Sequence, residues 1–102
     1  MISQKQPANQ ADADPIVLKT YPNPNNGFGI FVDIINPDYN DNKHSEITLL
    51  DMYGKIVYRE IFKGEVTHQV KHISFNAKLE PGIYLLSIKN GDLLATDKII
   101  VN

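Results

Sequence analysis

The chain of 102 residues contains no cysteine and no tryptophan. The absence of cysteine excludes disulfide bonds, thiolate metal ligands and a cysteine nucleophile. It leaves the cellular compartment open, because an extracellular domain can also lack disulfide bonds. The absence of tryptophan removes the largest aromatic ring that could stack on a sugar or a base.

A strong charge of one sign and a long apolar run are also missing. The formal net charge is -2 and no block of lysine or arginine stands out, so we expect no nucleic-acid partner. No run approaches the ~18–20 apolar residues of a membrane-spanning helix, so we expect no membrane insertion. Residues 1–7 lack the apolar stretch of an N-terminal secretory signal.

The apolar sequence that is present suffices for one small domain. Hydrophobic residues make up 42% of the chain, which is typical of a folded protein. Residues 1–15 differ, because a stretch rich in Gln, Asn, Asp and Pro cannot bury enough surface to offset its ordering entropy. We therefore predict a flexible linker or added leader at residues 1–15 and a single folded domain at residues 16–102.

Short runs of β-type residues alternate with turn signals every ~8–12 residues, which is typical of a sandwich or barrel. No segment shows a convincing apolar period of 3.6 residues, so we expect no helix. The predicted fold is all-β, an immunoglobulin-like antiparallel β-sandwich of about seven strands. The predicted strands span residues 16–21, 28–34, 46–53, 55–62, 66–75, 83–89 and 93–101.

Local patterns predict several details of this sandwich. Apolar residues alternate along strand 28–34, beginning with Phe28, and are expected to share its buried face. Turn residues at 51–54 and 90–92 predict two hairpins, because Asp accepts hydrogen bonds within its own turn and Gly adopts positive φ. A Leu-x-Pro-Gly-x-Tyr string ending at Tyr84 predicts a tyrosine corner, with the hydroxyl bonded to upstream backbone.

Metal sites are weakly indicated. His68 and His72 would lie about 13 Å apart on a strand, which is too far to chelate one ion, and no metal is expected there. The oxygen-bearing residues at alternate positions of one loop resemble part of an EF-hand loop, although the glycine and the bidentate glutamate of that loop are missing. These weak calcium candidates are Asp38, Asn40 and Asn42.

No arrangement of residues points to catalysis. The four serines stand in no nucleophile elbow, and no glycine loop could cradle a phosphate. We therefore predict no enzyme activity, no catalytic residue and no cofactor. Tyr39, Tyr53 and Tyr58 could stack on a sugar, which keeps open an adhesive or carbohydrate-binding module that uses the loop at residues 36–43.

Four motifs in order carry a resemblance to a known family. The first is Tyr-Pro-Asn-Pro at residues 21–24 with Gly27, and the second runs from Ile47 to Val57. The third is Leu-x-Pro-Gly-Ile-Tyr-Leu-Leu-Ser-Ile at residues 79–88, and the fourth is Lys-Ile-Ile-Val at residues 98–101. Together they resemble the type A C-terminal sorting domain of the type IX secretion system, over roughly residues 19–102.

The resemblance implies a secretion signal fused behind a cargo protein. The cargo would pass through the periplasm, be carried across the outer membrane when translocon components recognise this domain, and reach the cell surface or the medium. A sortase-like peptidase would then remove the domain, with residues 1–15 as linker or cleavage region. The partners implied are therefore the translocon, the peptidase and the covalently fused cargo.

The family motifs transfer to named positions of this sequence. The mainly structural positions are Pro22, Asn23, Pro24, Asp51, Gly54, Lys55, Val57, Pro81, Gly82 and Tyr84. The positions expected to be recognised by the translocon are Lys98, Ile99, Ile100, Val101 and Asn102. An exposed strand edge is the expected means of contact, because a free edge can accept another chain by β-augmentation.

Two features depart from the family pattern. The loop at residues 36–45 is longer than is common in the family, so its role stays open. The sequence closes on Asn102 without the basic residue that many members carry there, which leaves the identity of the terminal determinant open.

Overall fold

The computed structural model describes residues 16–37, 44–63 and 67–102. These residues form seven strands: β1 (Val17–Tyr21), β2 (Gly29–Ile35), β3 (His44–Leu50), β4 (Ile56–Lys63), β5 (His68–Ser74), β6 (Gly82–Asn90) and β7 (Leu93–Val101). The described part of the chain contains no helix, so none there could cross a membrane.

The strands form two antiparallel sheets. Sheet A has the order β1-β2-β5, and sheet B has the order β4-β3-β6-β7. The all-β two-sheet arrangement is confirmed, and it is compatible with the predicted sandwich. Sequential hairpins connect β3 to β4 and β6 to β7, whereas β2 pairs with the distant β5.

The core lies between the sheets and follows the alternation of the strands. Inward positions carry aliphatic side chains that lose nearly all contact with solvent. The most deeply buried are Ile30, Val32, Ile47, Leu49, Ile73, Leu86, Ile88 and Ile99. The expectation that Phe28 belongs to this face is wrong, because β2 begins at Gly29 and the Phe28 side chain is 59% exposed.

The two predicted hairpin turns are confirmed. The Asp51 carboxylate accepts hydrogen bonds from the backbone N–H groups of Tyr53 and Lys55, both at 2.9 Å. Gly54 follows with a φ of 83°, and the strand register shifts beside this turn between Leu49 and Leu50. At the other hairpin, Asn90 pairs directly with the residue after the turn, Leu93.

The sheets meet along two lateral seams, which are built differently. In the β1/β7 seam, Thr20 Oγ1 donates to an Asp97 carboxylate oxygen at 2.8 Å, and the segment after β1 continues along β7. In the β4/β5 seam, side chains make the recorded contacts, with Lys71 of β5 reaching Glu60 of β4 at 3.0 Å.

Candidate functional site

The four sequence motifs converge at one end of the sandwich. The segment 22–27 joins β1 to β2, and the turn 51–55 joins β3 to β4. The segment 79–82 leads into β6, whose first residue pairs with the end of β7 near residues 98–102. We call this the motif end, and the opposite end carries the start of β1 and the β6–β7 turn.

Asn23 binds the outer edge of β7 with its side chain. Its amide nitrogen donates to the Lys98 carbonyl oxygen at 2.7 Å, and its amide oxygen accepts the Ile100 N–H at 2.9 Å. An asparagine side chain carries the same donor and acceptor as a peptide group, so Asn23 takes the place of a neighbouring strand.

Asn25 continues this pairing with its backbone. Its N–H donates to the Ile100 carbonyl and its carbonyl accepts the Asn102 N–H, both at 2.9 Å, which forms a parallel bridge to Val101. The buried Asn25 side chain accepts the Gly27 N–H at 2.8 Å. The backbone edge of β7 from Lys98 onwards is therefore already paired within the domain.

Gly27 ties the first motif to the third. Its carbonyl accepts the Leu79 N–H at 2.9 Å, and its φ of +86° lies in the left-handed region. A Cβ atom at this position would lie 2.7 Å from the Leu79 carbonyl oxygen. Only glycine satisfies both the backbone conformation and this close approach.

Tyr84 forms the predicted tyrosine corner. The ring is buried in the core, and the hydroxyl donates to the Glu80 carbonyl oxygen at 2.6 Å. Burial, followed by the charges of Glu80 and Asp51, raises the pKa of Tyr84. The role of Tyr84 in the structure is therefore packing and turn closure.

A groove of about 750 Å³ opens at the motif end. It lies between the β3–β4 turn with the start of β4, residues 51–58, and the segment 74–84. Lys55 and Val57 line it, together with the neighbouring Tyr58. Burial, then the hydrogen bond to Glu60 and its charge, raises the pKa of Tyr58 to about 12. The phenol is protonated at neutral pH, and Tyr58 donates a hydrogen bond to Glu60.

The last strand divides its residues between the core and the surface. Ile99 is fully buried and Val101 is 3% exposed, so both serve the core. Lys98, Ile100 and Asn102 alternate with them and point outward. Of the five residues expected to contact the translocon, these three place their side chains at the surface.

At residues 98–102 the outer edge of the last strand is not free. Segment 22–26 supplies the hydrogen bonds that an added strand would make with residues 98–102. Sequence reasoning gave Pro22, Asn23 and Pro24 a mainly structural role and did not predict the pairing of this segment with β7. Three asparagines among the six residues 22–27 were the available signal, because their amides can replace backbone partners.

The weaker candidate sites are the possible calcium loop and the histidines of β5. The calcium candidates Asp38, Asn40 and Asn42, together with Tyr39, lie outside the described residues. His68 bonds to Asp33 on the outer face of sheet A. Among the described residues, no group of three or more potential ligands could hold a metal ion.

Aromatic rings do stack in a row across sheet A. Tyr21 and Phe31 have centroids 5.5 Å apart, and Phe31 and His72 have centroids 4.6 Å apart. Because each ring covers the face of its neighbour, the row offers little free face for a sugar. Tyr53 is 89% exposed, whereas Tyr58 is partly buried in the β4/β5 seam.

These features define a small β-sandwich that gathers its sequence motifs at one end, around the paired end of its last strand. The sequence model of the family described as "Secretion system C-terminal sorting domain" matches residues 19–102. The chain belongs to this family, whose members are C-terminal sorting signals for type IX secretion. A search of curated proteins finds no match.

Family membership gives the domain its general role. Such a domain acts with the type IX secretion machinery on a cargo fused to its N-terminal side. The cargo is exported across the outer membrane, either to the cell surface or into the medium. The family is not a family of enzymes.

Proposed function

We propose that the translocon recognises this sorting domain at its motif end, through the outward side chains of Lys98, Ile100 and Asn102. The observation that carries the proposal is the division of the last strand: these side chains are exposed, while Ile99 and Val101 are buried. A partner that docks on the folded domain can contact only the first group directly.

The mode of contact is side-chain docking and not strand addition. The N–H and C=O groups that face outward along residues 98–102 are bonded to Asn23 and Asn25. An incoming strand would have to replace these bonds, and each exchange gains little because one hydrogen bond substitutes for another. Pro22 and Pro24 flank Asn23, and their rings fix the backbone φ angle on either side of it.

The cargo and the outward side chains of residues 98–102 lie at opposite ends. Val17 pairs with Ile35 at the end farthest from the motif end, and a nine-residue strand such as β7 spans roughly 30 Å. A cargo joined ahead of residue 16 therefore leaves the side chains of Lys98, Ile100 and Asn102 free. We place cleavage by a sortase-like peptidase in residues 1–15, ahead of β1, after transit through the periplasm.

The domain itself has no catalytic activity in this proposal. Ser74 lines the groove at the motif end, but no histidine among the described lining residues could act as its base. No described residue combines a perturbed pKa with a reacting partner in a way that suggests general acid–base chemistry.

A fusion experiment tests this function. Residues 16–102 are joined to a periplasmic reporter in a type IX-competent strain, and surface and medium fractions are compared with the periplasm. We expect export of the wild-type fusion and periplasmic retention of the Lys98→Ala/Ile100→Ala variant. Lys19→Ala, on the outer face of sheet A, is the matched control and should be exported normally.

Two outcomes would contradict separate parts of the proposal. Retention of the wild-type fusion, in a strain that exports a known sorting domain, would reject the sorting function. Export of the double variant at the wild-type level would reject the assignment to Lys98 and Ile100. Thermal unfolding of each purified domain shows whether a retained variant is folded.

A further inference from the structure

The outer face of sheet B is unusually apolar for a solvent-facing sheet. An antiparallel sheet with one buried face normally carries polar residues on the other. Here Ile83 faces Ile100 across β6 and β7, and Leu50 faces Leu85 across β3 and β6. Further along, Leu94 is 63% exposed and lies opposite Lys89.

The same face carries an excess of positive charge. Its outward positions hold four cationic side chains, Arg59, Lys63, Lys89 and Lys98, and one carboxylate, Glu46. Arg59 bonds that carboxylate at 2.6 Å. Among the described strand residues of this face, three positive charges therefore remain unmatched, although the whole chain has a net charge of -2.

The outer face of sheet A provides the contrast. It also exposes apolar side chains, including Val17 and Val70. Its charged residues balance, because Lys19 and Asp33 are direct partners across β1 and β2. Exposed apolar area is therefore common to both faces, and unmatched positive charge is specific to sheet B.

The size of the face indicates the kind of complex. Four strands about 4.8 Å apart and some eight residues long present roughly 500 Å² in projection. A stable dimer interface typically covers about 800 Å² on each partner. The face thus suits a transient contact, as expected of a signal that must release its receptor.

We propose that the outer face of sheet B docks transiently on an acidic protein surface that also bears apolar side chains. This inference rests on the proposed function, and it assigns that surface to the translocon. Lys98 and Ile100 form one end of the docking surface, and Lys89 and Leu94 extend it towards the opposite end of the sandwich. Charge complementarity guides the approach, and the apolar side chains make the contact.

A pair of substitutions at one position isolates the charge. Leu94→Glu and Leu94→Lys both remove the exposed leucine and differ only in the sign of the added charge. We expect export of the reporter fusion to fall roughly tenfold for Leu94→Glu relative to Leu94→Lys, because like charges oppose docking. The effect on stability should have the opposite sign. A glutamate at position 94 would pair favourably with Lys89 across the strands, whereas a lysine there would be repelled.

Val70 supplies the matched control on sheet A. It is 53% exposed and has Asp33 as its strand partner. Val70→Glu and Val70→Lys are expected to be exported equally. A difference between them as large as that at position 94 would overturn the proposal, because it would show a general effect of charge on export.

The outcomes separate this inference from the proposed function. Equal export of both Leu94 variants, with the wild-type fusion exported, overturns the docking face and leaves the sorting function intact. Retention of the wild-type fusion rejects the sorting function itself. Binding of the purified wild-type domain to vesicles containing phosphatidylglycerol, or its sedimentation as a dimer through this face, would overturn the assignment to an acidic protein.

Discussion

The two lateral seams close the same sandwich by different means. Along the β1/β7 seam, backbone groups and amide side chains pair with a strand edge, as Asn23 and Asn25 do with residues 98–102. Along the β4/β5 seam, Lys71 bonds Glu60 and lies over the Phe62 ring at 4.3 Å. Tyr58 adds a hydrogen bond to Glu60 and an edge contact with Phe75.

The difference shows where this fold tolerates change. Amide and backbone pairing is directional, and the two exposed amide bonds of Asn23 contribute about 1 kcal/mol each. An ion pair between partly exposed side chains contributes about 0–1 kcal/mol, because it holds two flexible side chains in one geometry. We therefore expect substitutions to cost more at the β1/β7 seam than at the β4/β5 seam.

Gly27→Ala should have the largest effect on stability. The left-handed backbone costs a non-glycine residue ~1–2 kcal/mol, and the contact with the Leu79 carbonyl forces a shift that costs a similar amount. We expect the free energy of unfolding, measured in urea, to fall by about 3 kcal/mol. Gly54→Ala is the control, because Gly54 has nearly the same φ and open space around it, so it should lose only ~1 kcal/mol.

Asn23→Ala should have the second-largest effect on stability. It removes both amide bonds to β7, and we expect a loss of about 2 kcal/mol in urea unfolding. Asn23→Asp keeps the acceptor for Ile100 and loses the donor to Lys98, so its loss should be smaller. An Asn23→Ala protein as stable as the wild type would show that this seam is not held by the amide.

The β4/β5 seam should respond to alkaline pH. The folded protein raises the pKa of Tyr58 from 10.0 to about 12, chiefly by burial. The stabilisation is complete below pH 10 and is lost as the pH rises from 10 towards 12. For the Tyr58→Phe variant, the free energy of unfolding measured in urea should lack this part of the pH dependence. The part that comes from Tyr84, whose pKa is also raised, should persist.

The same seam should weaken in acid. The hydrogen bond from Tyr58, and then Lys71, lower the pKa of Glu60 below its ordinary value of 4.5. The stabilisation is present above pH 4.5 and is lost as the pH falls through the lowered pKa. Glu60→Gln should therefore unfold in urea with less dependence on pH in this range than the wild type.

Lys71→Met should have the smallest effect. The substitution removes the ion pair with Glu60 and the cation above Phe62, and it keeps an apolar side chain of similar length. We expect a change of less than ~1 kcal/mol in urea unfolding. A loss as large as that of Gly27→Ala would remove the distinction between the two seams.

Sequence reasoning succeeded where a structural feature is local. The Asp51 turn depends on residues within four positions, and the Tyr84 corner on a bond four residues away. The alternation of a strand also predicts that Ile99 lies on the face opposite to Lys98 and Ile100. The prediction for residues 98–102 did not use this alternation and assigned all five residues to translocon recognition.

The rest depends on partners far away in sequence. Asn23 pairs with Ile100 at a separation of 77 residues, and nothing near Asn23 specifies that partner. Phe28 continues the apolar alternation of β2, but it lies in a bend next to Gly27, whose carbonyl accepts the N–H of the distant Leu79. The role of the loop at residues 36–45 stays open, because residues 38–43 lie outside the described part of the chain.

The bond between Asn25 and Ile100 also sets an order of folding. It closes a loop of 75 residues, so the β1/β7 seam cannot form until residues 98–102 are available. Contacts so distant in sequence form late, because the chain must lose the entropy of a long loop before these contacts can stabilise it. In pulse-labelling hydrogen exchange, we expect the Ile100 and Asn102 amides to gain protection after those of the β6–β7 hairpin. A cargo synthesised ahead of this domain would then have time to fold before its signal becomes complete.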